Sequence, residues 1–272
     1  MPYNLTARVE TQTDLGSGYF LLRAAAPEIA REVRAGQFVM IGPRELDHML
    51  IRRPFSVALV DPEPGAGPPR AISVLFKVVG RGTANFSHLK PGDELAVLGP
   101  LGRGYWRPAA DGAAEVIGVA GGIGNASFPL LLQQMGERAR QVTFFFGGRT
   151  AADLTLLDWF RGRCGSVVVA TEDGSAGAPG LVTGPLARHL DAEPGRPRVV
   201  LACGPRPMLR AVTEICRARD IPCQLAMEET MACGFGVCLG CVVPKRQPEG
   251  EFDTYVRVCT EGPVFDAREV VP

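Results

Sequence analysis

Residues 233–241 read Cys233-Gly234-Phe235-Gly236-Val237-Cys238-Leu239-Gly240-Cys241, and a further thiol follows at Cys259. The spacing is C-x4-C-x2-C-x17-C. A glycine-rich loop carrying three thiols, completed by a fourth from a separate segment, supplies the two sulfur ligands per iron that a [2Fe–2S] cluster needs, and C-x4-C-x2-C is the plant-type spacing for it. Gly234, Gly236 and Gly240 let the backbone turn through positive φ and aim N–H groups at anionic sulfur. A structural zinc site, free thiols and disulfides are the competing readings. Four-cysteine zinc sites usually come as two C-x2-C or C-x4-C knuckles, whereas here a third Cys crowds the first pair and the fourth stands alone. The stretch therefore reads as a station for single electrons, with Cys233, Cys238, Cys241 and Cys259 as ligands.

Around this loop lie 272 residues, enough for two or three domains. A hydrophobic share of 46% with 21% charged residues is that of a globular chain. The 29 basic and 29 acidic residues balance, which gives no electrostatic argument for nucleic acid or an anionic membrane. The opening residues, Met1-Pro2-Tyr3-Asn4-Leu5, carry neither a basic nor an apolar leader pattern, and no apolar stretch reaches bilayer-spanning length. A cytoplasmic location is expected. In such a chain eight cysteines point to metal or redox use before a disulfide framework.

Residues 1–107 show short β-like runs at 3–12, 18–24, 37–41, 55–61, 71–79 and 93–98, the pattern of a small antiparallel barrel or sandwich. The proline-rich break at 62–69 is an exposed loop. Arg53-Pro54-Phe55-Ser56 opens one run, where the Arg53 guanidinium offers a planar fork for phosphate and Ser56 adds a hydroxyl. Three residues apart, the two face opposite sides of a regular strand, so one ligand meets both only if the chain bends or the ligand wraps the strand start. Leu75-Phe76-Lys77 leads into a turn, Gly80-Arg81-Gly82-Thr83, before a short helix at 83–89, an arrangement suited to an anion. Structural turns alone would account for each piece singly. Together with Leu98-Gly99-Pro100-Leu101-Gly102, these motifs resemble the flavin domain of the ferredoxin-reductase superfamily. The resemblance implies FAD held by Arg53, Pro54, Phe55, Ser56, Leu75, Phe76, Lys77, Gly82 and Thr83.

Residues 108–225 change pattern. Apolar β-branched runs at 115–120, 141–146, 166–171, 198–202 and 221–227 alternate with helical segments, which predicts a doubly wound, five-stranded parallel sheet covered on both faces. Ligands of such sheets bind at the carboxyl ends of strands. Those ends carry Gly121-Gly122-Ile123-Gly124, Gly147-Gly148-Arg149, Glu172-Asp173 and Cys203-Gly204-Pro205-Arg206-Pro207-Met208. Ser127 spoils a clean G-x-G-x-x-G, and glycines that merely make βα turns are the plain alternative. The same superfamily places Gly-Gly-Ile-Gly and Cys-Gly-Pro-x-x-Met turns around a nicotinamide nucleotide. That resemblance implies NAD(H) binding by Gly121, Gly122, Ile123, Gly124, Arg149, Glu172, Asp173, Cys203, Gly204, Pro205 and Met208, with Cys203 positional and not a nucleophile. Arg149 and Arg206 suit a 2′-phosphate or the diphosphate equally, so NAD and NADP both stay open.

Residues 226–272 form a cluster domain of about 50 residues, small enough that metal binding would contribute much of its folding free energy. The order of the three regions, with Glu229-Thr230-Met231-Ala232-Cys233-Gly234 and Val258-Cys259-Thr260-Glu261-Gly262-Pro263-Val264-Phe265, resembles the electron-transfer subunits of type B dihydroorotate dehydrogenase. Asn125-Ala126-Ser127-Phe128 and Gly148 depart from the relatives' pattern.

A nicotinamide exchanges two electrons, a [2Fe–2S] cluster one, and a flavin converts between them. His48, His88 and His189 are scattered and read as surface or packing residues. The chain has no room for a (β/α)8 barrel, which takes about 250 residues. The resemblance implies that substrate oxidation belongs to an FMN-bearing catalytic subunit, in a heterotetramer of two and two, within pyrimidine biosynthesis. Phe235, Val237 and Leu239 are candidates for docking it or for shielding the cluster. A related NAD(P)H:ferredoxin or sulfide/sulfur reductase subunit keeps the same cofactors with another partner, and a non-enzymatic iron–sulfur redox sensor is the reading outside enzymes.

Overall fold

The computed structural model describes residues 1–43, 51–63, 65–105, 115–247 and 254–272; His48, Pro64 of the proline-rich loop, the boundary expected at residue 107 and Glu251 lie outside them. Along Glu94–Leu101 every second side chain is buried, as a strand with one face on a core requires. Strands β1 (Tyr3–Gly16), β2 (Tyr19–Ala25), β3 (Phe38–Pro43), β4 (Arg53–Asp61), β5 (Ala71–Lys77) and β6 (Glu94–Leu101) close into an antiparallel barrel in the order β1-β2-β5-β4-β3-β6. Closure leaves no open edge. The short helix after the glycine turn is α2 (Arg81–Phe86), and an unforeseen α1 (Pro27–Glu32) follows β2.

The second sheet is built on β7 (Glu115–Gly121), β8 (Val142–Gly148), β9 (Ser166–Thr171), β11 (Arg198–Cys203) and β12 (Cys223–Ala226), the runs read as strands. Every residue of β7 and β11 is buried, as befits strands covered on both faces. Helices α3 (Pro129–Met135), α4 (Leu157–Arg163), α5 (Thr183–Ala192) and α6 (Arg206–Arg217) connect them. The expectation of five strands is corrected: β10 (Ala178–Pro179) and β15 (Val264–Asp266) extend the sheet to seven, in the order β10-β9-β8-β7-β11-β12-β15. β10 is two residues long and ends in proline, so no periodicity betrays it. β15 arrives from the far end of the chain and pairs antiparallel to β12, Leu225 opposite Phe265, which makes the sheet mixed. The C-terminal region also forms the hairpin β13 (Val242–Pro244) and β14 (Tyr255–Arg257).

The barrel and the second sheet share one continuous core, from Val39 and Val57 through Val116 and Phe144 to Val264. Adjacent glutamines stitch the seam. Gln133 accepts from Val60 N at 3.0 Å and donates to Val60 O at 3.1 Å; Gln134 accepts from Ala35 N and donates to Val33 O, each at 3.0 Å. Among the described residues no helix is long and apolar enough to cross a membrane.

Candidate functional site: two joined cavities beside a cysteine loop

A cavity of about 580 Å³ opens at the carboxyl ends of β7, β8, β9 and β11, where the neighbouring turns leave the sheet. Gly121, Gly122, Ile123, Gly124, Arg149, Glu172, Gly204, Pro205 and Met208 all line it. The glycine at Gly124 is needed for close approach: a Cβ there would lie 2.4 Å from the carbonyl oxygen of Cys203. Cys203 and Asp173, expected in this site, are not among the lining residues. Cys203 is buried beneath the floor, and burial pushes its thiol pKa up, so it stays protonated near neutrality. The Asp173 carboxylate turns onto its own loop, accepting from Ser175 Oγ at 2.6 Å and Ser175 N at 2.9 Å, and these bonds hold it below the usual carboxylate range.

A second cavity, about 480 Å³, lies against the barrel. Arg53, Pro54, Phe55, Ser56, Leu75, Phe76, Lys77 and Thr83 line it, so the space wraps the start of β4 and meets both Arg53 and Ser56. Gly82 stands behind the wall, where a Cβ would come 3.0 Å from Arg53 Nε. The turn beside it is partly self-satisfied, since Thr83 Oγ1 accepts from Val79 N at 2.9 Å and Gly80 N at 3.3 Å. Arg53 and Lys77 are the cationic side chains of this lining, and the Arg53 guanidinium also donates to Ile51 O. The opposite wall was not foreseen. It comes from Ile123 and Ala126 of the α/β region, from residues 227–231, and from Pro263.

Lys77, Val79, Ile123 and Glu228 line both cavities, which therefore adjoin. Glu228 is exposed to this shared space, and desolvation by the surrounding walls raises its carboxyl pKa against a smaller lowering by the Cys203 thiol, 3.9 Å away. Of the described histidines, His88 is exposed and His189 bonds Glu115 at the opposite end of β7, at 2.9 Å. Neither lines a cavity.

The cysteine loop continues directly from the wall at 227–231. Gly234, at φ +80, rests on the barrel: a Cβ would lie 2.5 Å from Met40 Cγ. Gly236 and Leu239 also have positive φ, at +90 and +57. Burial alone would raise the Cys233 thiol, but backbone N–H groups of Cys238, Phe235 and Val237, with the Cys238 thiol, bring its pKa down to about 6. Gly240 N approaches Cys238 Sγ at 3.5 Å, and Cys259 N approaches Cys241 Sγ at 3.4 Å. Burial, then the neighbouring Cys241 thiol, pushes Cys259 up to about 12. The thiols thus neighbour one another as Cys233 with Cys238 and Cys241 with Cys259. Among the described residues, no group of three or more His, Cys, Asp or Glu side chains is arranged to hold a single metal ion.

Residues 228–271 match the family described as the iron-sulfur cluster binding domain of dihydroorotate dehydrogenase B. The chain is similar to the dihydroorotate dehydrogenase B (NAD(+)) electron transfer subunit of Desulforamulus reducens, 37% identical over 246 residues that cover 90% of each chain. It is also 39% identical over 236 residues to that of Caldanaerobacter subterraneus subsp. tengcongensis, covering 87% of this chain and 86% of the relative. A solved structure of NADH-dependent reduced ferredoxin-NADP oxidoreductase superposes with a TM-score of 0.81 at 28% identity, over 97% of this chain and 89% of that one. Joined cavities, a cysteine loop at their wall and matches over nearly the whole length agree: the chain belongs to the family of dihydroorotate dehydrogenase B electron transfer subunits.

Proposed function

We propose that this chain carries electrons between a partner dihydroorotate-oxidising subunit and NAD(H), with FAD in the barrel-side cavity and NAD(H) in the sheet-end cavity. The observation that carries the reading is the junction: the two cavities share Lys77, Val79, Ile123 and Glu228, so their occupants meet there. Both volumes fall in the range of about 300–1,000 Å³ usual for cofactor sites. When bound, the flavin exchanges two electrons with the nicotinamide and single electrons with a cluster.

The residues divide that work. Arg53 supplies the fixed cation for a diphosphate, Ser56 a hydroxyl, and Leu75 with Phe76 an apolar face, backed by Phe55 and Phe86 with ring centroids 5.4 Å apart. Lys77 and Thr83 complete the FAD set, with Gly82 keeping room for Arg53. Around the nucleotide, Gly121, Gly122 and Gly124 admit close backbone approach, and Arg149 and Glu172 line the cavity from the adjacent ends of β8 and β9. Cys203 and Asp173 support this site from outside its lining.

The cysteines suit a [2Fe–2S] cluster on two grounds. Their pairing, Cys233 with Cys238 and Cys241 with Cys259, matches two sulfur ligands per iron, and loop N–H groups already stabilise thiolate at Cys233. Thr260 Oγ1 is in addition buried with no hydrogen-bond partner among the described residues, beside Gly236 of the cysteine loop. The reading divides the chain at 1–107, 108–225 and 226–272, with β15 tying the last region to the sheet. Phe235, Val237 and Leu239 are 52%, 73% and 59% exposed, which favours docking of an FMN-containing catalytic subunit, two copies of each chain, over shielding of the cluster. A cytoplasmic setting fits cysteines held as free thiols.

The likeness to NADH-dependent reduced ferredoxin-NADP oxidoreductase favours a second reading, in which the partner differs and the cofactors stay. Co-expression with an FMN-containing dihydroorotate dehydrogenase subunit separates the two. A complex that reduces NAD+ with dihydroorotate is expected. Stoichiometric FAD and iron without complex formation or that activity would refute the first reading and leave the second.

A further inference from the structure

The lysine at the junction of the two cavities is held from across the domain seam. Tyr19 and Lys77 are cross-strand partners on β2 and β5 of the barrel. Asp153 belongs to the short helical turn Ala151–Asp153 that follows β8 of the second sheet. Tyr19 Oη donates to Asp153 Oδ1 at 2.7 Å, and Lys77 Nζ donates to the same oxygen at 2.9 Å. Lys77 Nζ also lies 3.2 Å from Tyr19 Oη and 4.5 Å from the centroid of its ring. The other carboxylate oxygen accepts from Arg149 N at 3.1 Å and Thr150 N at 3.3 Å. Four donors thus converge on one carboxylate whose side chain is 12% exposed.

An ordinary surface ion pair contributes little, because two long side chains must be ordered against screening water. This one differs in three respects. Tyr19 is fully buried and rigid, the Asp153 carboxylate is fixed by backbone donors, and Lys77 lines both cavities while two of its three N–H bonds are already directed. The hydrogen bonds from Lys77 and Tyr19 outweigh burial and bring the Asp153 pKa down to about 2, so the carboxylate is charged throughout the working range. The same turn carries Arg149 to the nucleotide cavity, so the lysine and the nucleotide turn share one anchor.

We propose that Asp153 is a positioning residue for Lys77, fixing its ammonium at the junction and offsetting its charge, and that this pair sets the field felt by a flavin in the barrel-side cavity. The inference rests on reading that cavity as the FAD site. A cation beside a flavin favours the reduced, more negative ring, so unmasking Lys77 raises the reduction potential and removing it lowers the potential.

The test is reductive titration against a reference dye of the flavin-loaded full chain as wild type, Asp153→Asn, Asp153→Glu and Lys77→Met. Asp153→Asn is expected to raise the equilibrium constant for flavin reduction about tenfold, equivalent to about 30 mV for a two-electron couple. Asp153→Glu, which keeps the charge and a native circular dichroism spectrum, returns it most of the way, and Lys77→Met shifts it in the opposite direction. Loaded variants with the wild-type potential, or with shifts of one sign for Asp153→Asn and Lys77→Met, overturn the inference. A wild-type chain that takes up no FAD overturns instead the reading of the cavity.

Discussion

Replacement of Gly124 by alanine tests whether the sheet-end cavity depends on two turns touching. A Cβ at this position would lie 2.4 Å from Cys203 O, 2.6 Å from Cys203 C and 2.7 Å from Gly204 N. All three are backbone atoms, so no rotamer relieves the contact. Ordinary carbon contacts begin near 3.5 Å, so the turns must separate by about 1 Å. The strands cannot supply that movement, because Ala120 and Cys203 are paired in the β7–β11 ladder. It falls on Gly122–Gly124 and on Gly204–Pro205, which line the cavity. Overpacking of this kind costs about 1–3 kcal/mol, and about 2 kcal/mol expressed in binding weakens NADH affinity roughly thirtyfold. The assay is fluorescence titration of NADH into variants of equal flavin content, with thermal melts alongside. Gly162→Ala is the control of opposite sign: it sits in α4 with nothing within 4 Å of an added Cβ, and it should stabilise by about 0.5–1 kcal/mol without touching affinity. Gly124→Ala with NADH affinity within about twofold of wild type would refute the reasoning, since a tenfold change is about 1.4 kcal/mol.

Gly234→Ala combines a φ of +80 with contact on Met40, and should lower the ratio of iron to flavin in the purified chain, measured by colorimetric iron assay. Gln133→Ala removes both buried bonds to the Val60 backbone and should lower stability by about 2–3 kcal/mol in denaturant unfolding, leaving flavin content per folded molecule unchanged. Thr260→Val deletes a buried, unpartnered hydroxyl beside the cysteine loop; the cluster potential should fall in titrations followed by electron paramagnetic resonance, while the melting temperature holds or rises. Asp153 has a folded pKa of about 2, below its unfolded value, so its contribution is complete above about pH 4 and is lost as pH falls toward the folded value. The stability gap between wild type and Asp153→Asn, on the order of 1–2 kcal/mol at neutral pH after screening, should close across that window in acid unfolding.

What could be read before folding was whatever repeats along the chain or sits in a motif. Short β-like runs at regular intervals gave away the barrel strands, and unbroken apolar runs such as residues 115–120 gave away the parallel ones. Glycine turns and the Arg53–Ser56 run named most of both cavities. β10 stayed hidden because two residues carry no period, and β15 because its partner β12 lies about 40 residues upstream. Tyr19, Asp153, Glu228 and Met231 carry no spacing signal either, since their roles arise only where separate regions pack. Position alone also does not reveal that Asp173, at the expected strand end, turns its carboxylate onto Ser175 and is absent from the cavity lining.

The packing also changes what the cysteine loop is. Residues 227–231 wall the barrel-side cavity, and Cys233 follows within two residues, so the loop starts where a flavin would end. Gly234 then presses onto Met40 and Leu101, fixing the loop to the barrel and not only to its own hairpin. With that side anchored, Phe235, Val237 and Leu239 are left to face outward. One side against the barrel-side cavity and one apolar side toward solvent is the geometry a middle station needs. A detached ferredoxin-like module would have no reason to place a positive-φ glycine of its cysteine loop against the barrel core.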